Sequence, residues 1–166
     1  MRGCFKLMLV PAMILAGLQV AAAQDVLATK TMKSLTMKGE LMVAQTAIET
    51  CAAQNIHVHA FIVDASGTTR LQLLGDGSRV STIDSARRKA FTAAIMGRAT
   101  AAIQKQIKEN PGMQLPPDDR MLFVGGGVPI RAGSEVIGAI GVGGGTTDQD
   151  DACAQAGVAK IQPYLQ

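Results

Sequence analysis

Tryptophan is absent from this chain, tyrosine occurs once and phenylalanine four times, although 48% of the residues are hydrophobic. A core so poor in large rings has to be assembled mainly from Ala, Val, Ile, Leu and Met. An excess of charge is also missing. The 16 basic residues include Arg2 and Lys6, and without those two, 14 basic residues stand against 13 acidic ones. A domain so close to neutral has no electrostatic footprint for nucleic acid. The one basic cluster, Arg87-Arg88-Lys89, lies in a helical pattern where three consecutive side chains point in three directions.

No apolar run reaches the roughly 20 residues that a membrane span needs. The longest, Leu7 to Leu18, is interrupted by Pro11 and Gly17. With Arg2 and Lys6 before it and Ala21-Ala22-Ala23 after it, the run has the order of a cleavable secretory signal. The expectation is therefore a signal over residues 1–23, one domain over 24–166, a periplasmic or secreted product, and no membrane span after cleavage. About 140 residues suit a single core, and no internal repeat or linker divides them. Cys4 leaves with the signal. Cys51 and Cys153 remain, either as a disulfide or as two small buried residues on apolar helix stripes.

Glycine, by contrast, is plentiful, with triplets at Gly125–Gly127 and Gly143–Gly145. Neither triplet makes a nucleotide motif. In Gly141-Val-Gly-Gly-Gly-Thr146 a threonine stands where the dinucleotide fingerprint requires glycine, and no Walker lysine follows either triplet. Asp148, Asp150 and Asp151 would repel a phosphate from the start of the last helix. Gly138 and Gly141 fall within a strand, where glycine is tolerated if backbone or ligand must come close. The small-residue stripe Ala86, Ala90, Ala93, Gly97 offers such an approach.

Period and turn chemistry order the rest. Leu41, Ala44, Ile48 and Cys51 share a face of a first helix between Thr36 and Asn55. Ile56–Asp64 and Thr68–Leu74 flank Ala65-Ser66-Gly67 as an antiparallel hairpin. Ser81 with Asp84 reads as the cap of a helix from about Thr82 to Met96. A helix from Thr100 to Glu109 is stopped by Asn110-Pro111-Gly112, and a loop runs on to Arg120. Met121–Val124, Val128–Ile130 and Glu135–Val142 read as strands, and Thr147 with Asp150 as the cap of a final helix. Helix, two strands, two helices, three strands and helix lack the alternation of a parallel sheet. They predict an α+β sandwich with an antiparallel sheet of about five strands and flanking helices.

VDASG, DGS, IDSARRKAFTAA, GGGVPI, VIGAIGV and Asp150-Asp-Ala-Cys-Ala-Gln-Ala-Gly157, in this order and spacing from about Leu35 to Gln162, resemble the GlcG/HbpS-type haem-binding family, also called haem-degrading domains. The resemblance implies a profilin- or PAS-like two-layer sandwich, a homo-oligomer, and binding of haem or a related tetrapyrrole. Two stretches depart from it. Leu74-Gly75-Asp76 stands where members commonly have Arg-Met-Asp, and Gly141-Val-Gly-Gly144 where they have G-V-S-G.

Haem iron takes His, Met, Tyr or Cys as ligand. His57 and His59, the only histidines, share one face of the first strand with Phe61 and Val63, opposite the apolar Ile56, Val58, Ala60 and Ile62 expected against the helices. Either histidine is a candidate for haem iron, or the two for a divalent metal, though no third ligand lies nearby; a partly exposed pair at a subunit contact is the plainer reading. Lys89 and Thr92 share a helix face, where they would meet a propionate or else solvent. Gly126 and Gly127 complete the candidate ligand contacts. The leading function is an exported haem-binding protein for sequestration, storage or sensing, with weak haem degradation as a side activity. A non-enzymatic oligomeric module for a small metabolite or partner protein is the alternative.

Overall fold

The computed structural model describes residues 32–165; the signal expected at 1–23 lies outside the described residues. Helix α1 (Met37–Ala52) is followed by strands β1 (His59–Asp64) and β2 (Thr69–Leu74), then by a 3-10 turn at Val80–Thr82. Helices α2 (Ile83–Met96) and α3 (Thr100–Glu109), strands β3 (Gly127–Ala132) and β4 (Glu135–Gly143), and helix α4 (Thr147–Ile161) complete the chain, with a last 3-10 turn at Gln162–Tyr164. The strands form one antiparallel sheet in the order β2-β1-β4-β3. No helix among the described residues is long and apolar enough to cross a membrane.

The fold is the expected α+β arrangement with four strands rather than five. Met121–Val124 joins no ladder. Its backbone is bonded to α2 instead: Arg88 donates to the Met121 carbonyl (2.7 Å), and the Leu122 N–H donates to Thr92 Oγ1 (2.8 Å). An apolar run becomes a strand only by pairing with another strand, and here side chains of α2 meet its polar groups instead.

Helix starts also moved slightly. Ser81 sits in the 3-10 turn, and α2 begins behind Thr82, whose hydroxyl donates to the Arg79 carbonyl and does not cap. Helix α4 is capped one residue earlier than expected, by Thr146 and Gln149 in a reciprocal capping box, while Asp150 turns inward. Thr36 caps α1 by accepting from the Gly39 N–H.

The sheet and the α1/α4 pair form the two-layer sandwich. Val58 just before β1, Ala60 and Ile62 of β1, and Ile140 and Val142 of β4 pack against Val43, Ala44 and Ala47 of α1 and Ala154 of α4. Cys51 and Cys153 close this layer as a buried disulfide, with Cα atoms 5.7 Å apart and 102 residues of separation. The other face of β1, expected to be half-polar, is covered as well: Phe61 and Val63 pack with Ala139 against Ala86, Ala90, Ala93 and Ala94 of α2. Gly141 explains how close that helix comes. A Cβ at this position would overlap the Ala86 carbonyl and lie 2.5 Å from the Ala90 nitrogen. The second glycine-rich segment therefore serves helix-on-sheet packing at Gly141.

Candidate functional site

The sequence placed both histidines on the first strand, but β1 begins at His59 and His57 lies in the segment before it, and the chain treats the two differently. His59 is 1% exposed. Its Nε2 lies 2.8 Å from the Arg79 carbonyl and its Nδ1 3.0 Å from Ser78 Oγ. A carbonyl only accepts, so Nε2–H donates to it, and both ring nitrogens are engaged. His57 is exposed, and its Nδ1 lies 2.7 Å from the Asp76 carbonyl. Nδ1 is therefore the protonated nitrogen, and in the neutral ring Nε2 keeps a lone pair. The structure thus distinguishes two residues that the sequence left equivalent: His57 has a nitrogen available for a ligand and His59 has none. Among the described residues no group of three or more His, Cys, Asp or Glu is placed to hold a metal ion.

Lys89, expected on a face turned to propionate or solvent, is buried instead. Its ammonium lies 2.7 Å from Asp150 Oδ2 and donates to the Val142 carbonyl at 3.1 Å, joining α2, β4 and α4. Asp150 Oδ1 accepts from the Gly145 N–H (2.9 Å), and Asp151 Oδ1 from the Gly126 N–H (3.3 Å). Thr92 is buried, donating to the Arg88 carbonyl and accepting from Leu122. Gly127 donates to Thr100 Oγ1 (2.8 Å), and a Cβ on it would overlap the Lys89 carbonyl. Gly126 lies against Asp150 and Lys89. Lys89, Gly126 and Gly127 come together around one buried ion pair, Thr92 is tied to the Leu122 backbone, and none of the four joins His57; their polar groups are occupied by the protein itself.

Around His57 a cleft of ≈ 490 Å³ is lined by Asn55, Ile56, Gly77, Arg79, and the turn into α4 at Gly144, Gly145, Thr146 and Gln149. Ile56 and His57 also border a smaller recess of ≈ 180 Å³, whose other walls include Ile48, Ala52 and Val58. One imidazole therefore stands between a polar cleft carrying a guanidinium and an apolar recess. Arg79, Ser78, Asp76 and Gln149 were missed as site residues. Arg79 follows a glycine turn with no periodic signal, and only the pairing of β1 with β2 brings that turn back beside His57.

A model of haem-degrading HbpS-like proteins matches residues 35–159. The chain belongs to the HbpS-like family. A relative in Citrobacter freundii, an uncharacterized 15.0 kDa protein in the dhaT–dhaS intergenic region, is 33% identical over 126 residues. The match covers 74% of this chain and 88% of the relative. Among solved structures, a double mutant of HbpS from Streptomyces reticuli superposes with a TM-score of 0.73 at 34% identity, covering 83% of this chain and 93% of that one. The structure of a PduOC–haem complex superposes with a TM-score of 0.71 at 26% identity, covering 78% and 96%. For an HbpS-like chain, the split between an engaged and an available histidine is the feature that singles out one end of the sheet.

Proposed function

We propose that this HbpS-like protein binds haem or a related tetrapyrrole at the His57 end of the sheet. The observation that carries the reading is the available Nε2 of His57 at the junction of an apolar recess and a cleft bearing Arg79. The residues fit the group: an imidazole nitrogen suits iron, Ile48, Ala52 and Ile56 suit an apolar macrocycle edge, and a guanidinium suits a carboxylate. Bound haem would supply redox-active iron. The chain would hold the macrocycle, orient it through His57, and neutralise a propionate at Arg79. The haem complex formed by the PduOC neighbour supports the same ligand class.

The role is sequestration, storage or sensing outside the cytoplasm, with slow haem degradation as a side reaction. The signal-like order at 1–23 and the Cys51–Cys153 disulfide support export, because disulfides persist in oxidising compartments. Self-association is part of the reading. Strand β2 lies at a sheet edge, and Met37, Leu74, Val80 and Tyr164 expose apolar surface that a second copy would cover.

Haemin titrated into the protein should give a saturable Soret shift. His57→Ala should change the bound spectrum by removing an imidazole, while His59→Gln should retain the ligated form. Haemin that absorbs as it does in buffer, without saturation at micromolar protein, would leave a haem-free interaction module as the better reading.

A further inference from the structure

His59 is a buried, polar, titratable side chain that cannot itself reach a ligand, and its partners lie in a single loop. Its ring meets Ser78 Oγ and the Arg79 carbonyl, and Ser78 Oγ also lies against the Gly75 carbonyl, so one hydroxyl proton is shared between that carbonyl and Nδ1. The Gly75 N–H donates back to the Val58 carbonyl at 3.1 Å. The loop from Gly75 to Arg79 is thus fastened at both ends, to Val58 just before β1 and to His59 at its start.

What the loop then carries lies against His57. The Asp76 carbonyl accepts from Nδ1, and Gly77, at φ +73°, is stacked so closely on the imidazole that a Cβ would sit 3.1 Å from Nδ1 and 3.4 Å from Cγ. At its far end Arg79 donates to the Gly144 carbonyl (3.3 Å) across the cleft. A carbonyl on one ring nitrogen and a glycine on one ring face fix both the tautomer and the orientation of an imidazole. Outer partners of this kind are what make a histidine a well-aimed ligand.

We propose, resting on the haem-binding reading above, that His59 is the positioning residue of this site: it anchors the Gly75–Arg79 loop so that Asp76 and Gly77 hold His57 with Nε2 outward and Arg79 stays on the rim. His57 touches the ligand, and His59 acts through the loop. Gln at 59 can still donate to the Arg79 carbonyl, whereas Phe fills similar space and donates nothing.

The test has two readouts on the intact protein. The first needs no haem: long-range proton–nitrogen correlation of the imidazoles in the ligand-free protein. The wild type should show His57 as the Nδ1-protonated tautomer. His59→Phe should give a mixture of tautomers at His57, and His59→Gln should restore the single form. The second is haemin affinity, which should fall about tenfold or more in His59→Phe and recover in His59→Gln. If the wild type binds haemin through His57 but folded His59→Phe keeps both its affinity and its His57 tautomer, the positioning role is overturned while the haem reading survives. A changed tautomer at unchanged haemin affinity also overturns it. If the wild type does not bind haemin, the haem reading fails, and the tautomer result alone decides whether His59 holds His57. Should His59→Phe not fold, Ser78→Ala removes the hydroxyl from the same network and faces both readouts, with unchanged values overturning the proposal.

Discussion

Removing the ammonium of Lys89 should be among the most destabilising single changes in the described domain. Its side chain is 4% exposed and that of Asp150 3%, at an Nζ–Oδ2 distance of 2.7 Å. In Lys89→Met the Asp150 carboxylate stays in the interior with only the Gly145 N–H as a bonded partner, and the Val142 carbonyl loses the ammonium. Breaking a buried pair from one side costs about 3–5 kcal/mol, because the charge left behind is uncompensated. At roughly 3–5 °C per kcal/mol for a domain of this size, the melting temperature should fall by roughly 10–20 °C. Lys89→Met with Asp150→Leu should cost less than the sum of the two single changes, by about 1–3 kcal/mol. Urea denaturation of the wild type, both single variants and the double variant closes the cycle. Additive costs, or a loss below about 1 kcal/mol in Lys89→Met, would refute the account of a buried pair. A folded variant of wild-type stability that had lost haemin affinity would return Lys89 to the role of a propionate partner.

Replacing Cys51 and Cys153 together by Ala should destabilise the domain by up to about 4.7 kcal/mol, from loop closure across 102 residues; equal urea midpoints for oxidised wild type and the double variant would contradict this. Gly141→Ala should cost about 1–3 kcal/mol or more, since its Cβ would overlap the Ala86 carbonyl, and a wild-type denaturation midpoint would show that α2 yields easily. At Asp64, partial burial alone would raise the carboxyl. The Ser66 hydroxyl, the Thr68 and Ser66 N–H groups and the nearby Arg70 outweigh it and lower the carboxyl below 3.8. A depressed carboxylate contributes stability above its unfolded value that is lost as pH falls through its folded one. Asp64→Ala should therefore lose a small amount of stability near neutrality and show a flatter decline below pH 3.8, and parallel acid curves for the two proteins would count against the turn.

Periodicity and turn chemistry are local properties, and they made most of the fold legible. The helix Thr100–Glu109 has the expected ends, and Ala65-Ser66-Gly67 turns the hairpin as read. Ala86, Ala90 and Ala93 are the buried stripe. Each signal depends on bonds or side chains a few residues apart, so the chain alone carries it. The family resemblance rested on something else, the segments VDASG, DGS, IDSARRKAFTAA, GGGVPI and VIGAIGV in their order and spacing.

Only the tertiary structure decided what those elements do to one another. Met121–Val124 has strand composition, yet Arg88 and Thr92 take backbone groups of Met121 and Leu122, and the segment pairs with no strand. Lys89 looks like a surface lysine in sequence. It becomes an internal cation because β4 and α4 deliver Val142 and Asp150 to its ammonium from 53 and 61 residues away. His57 and His59 stand two residues apart and share a residue type, so no local pattern separates them. A loop returning from about 20 residues downstream occupies both nitrogens of one ring and a single nitrogen of the other. Chain sequence specifies which side chains can donate, accept or ligate. Which of them remain available is settled by long-range packing, since a polar group buried by folding must find its partner wherever the fold brings one.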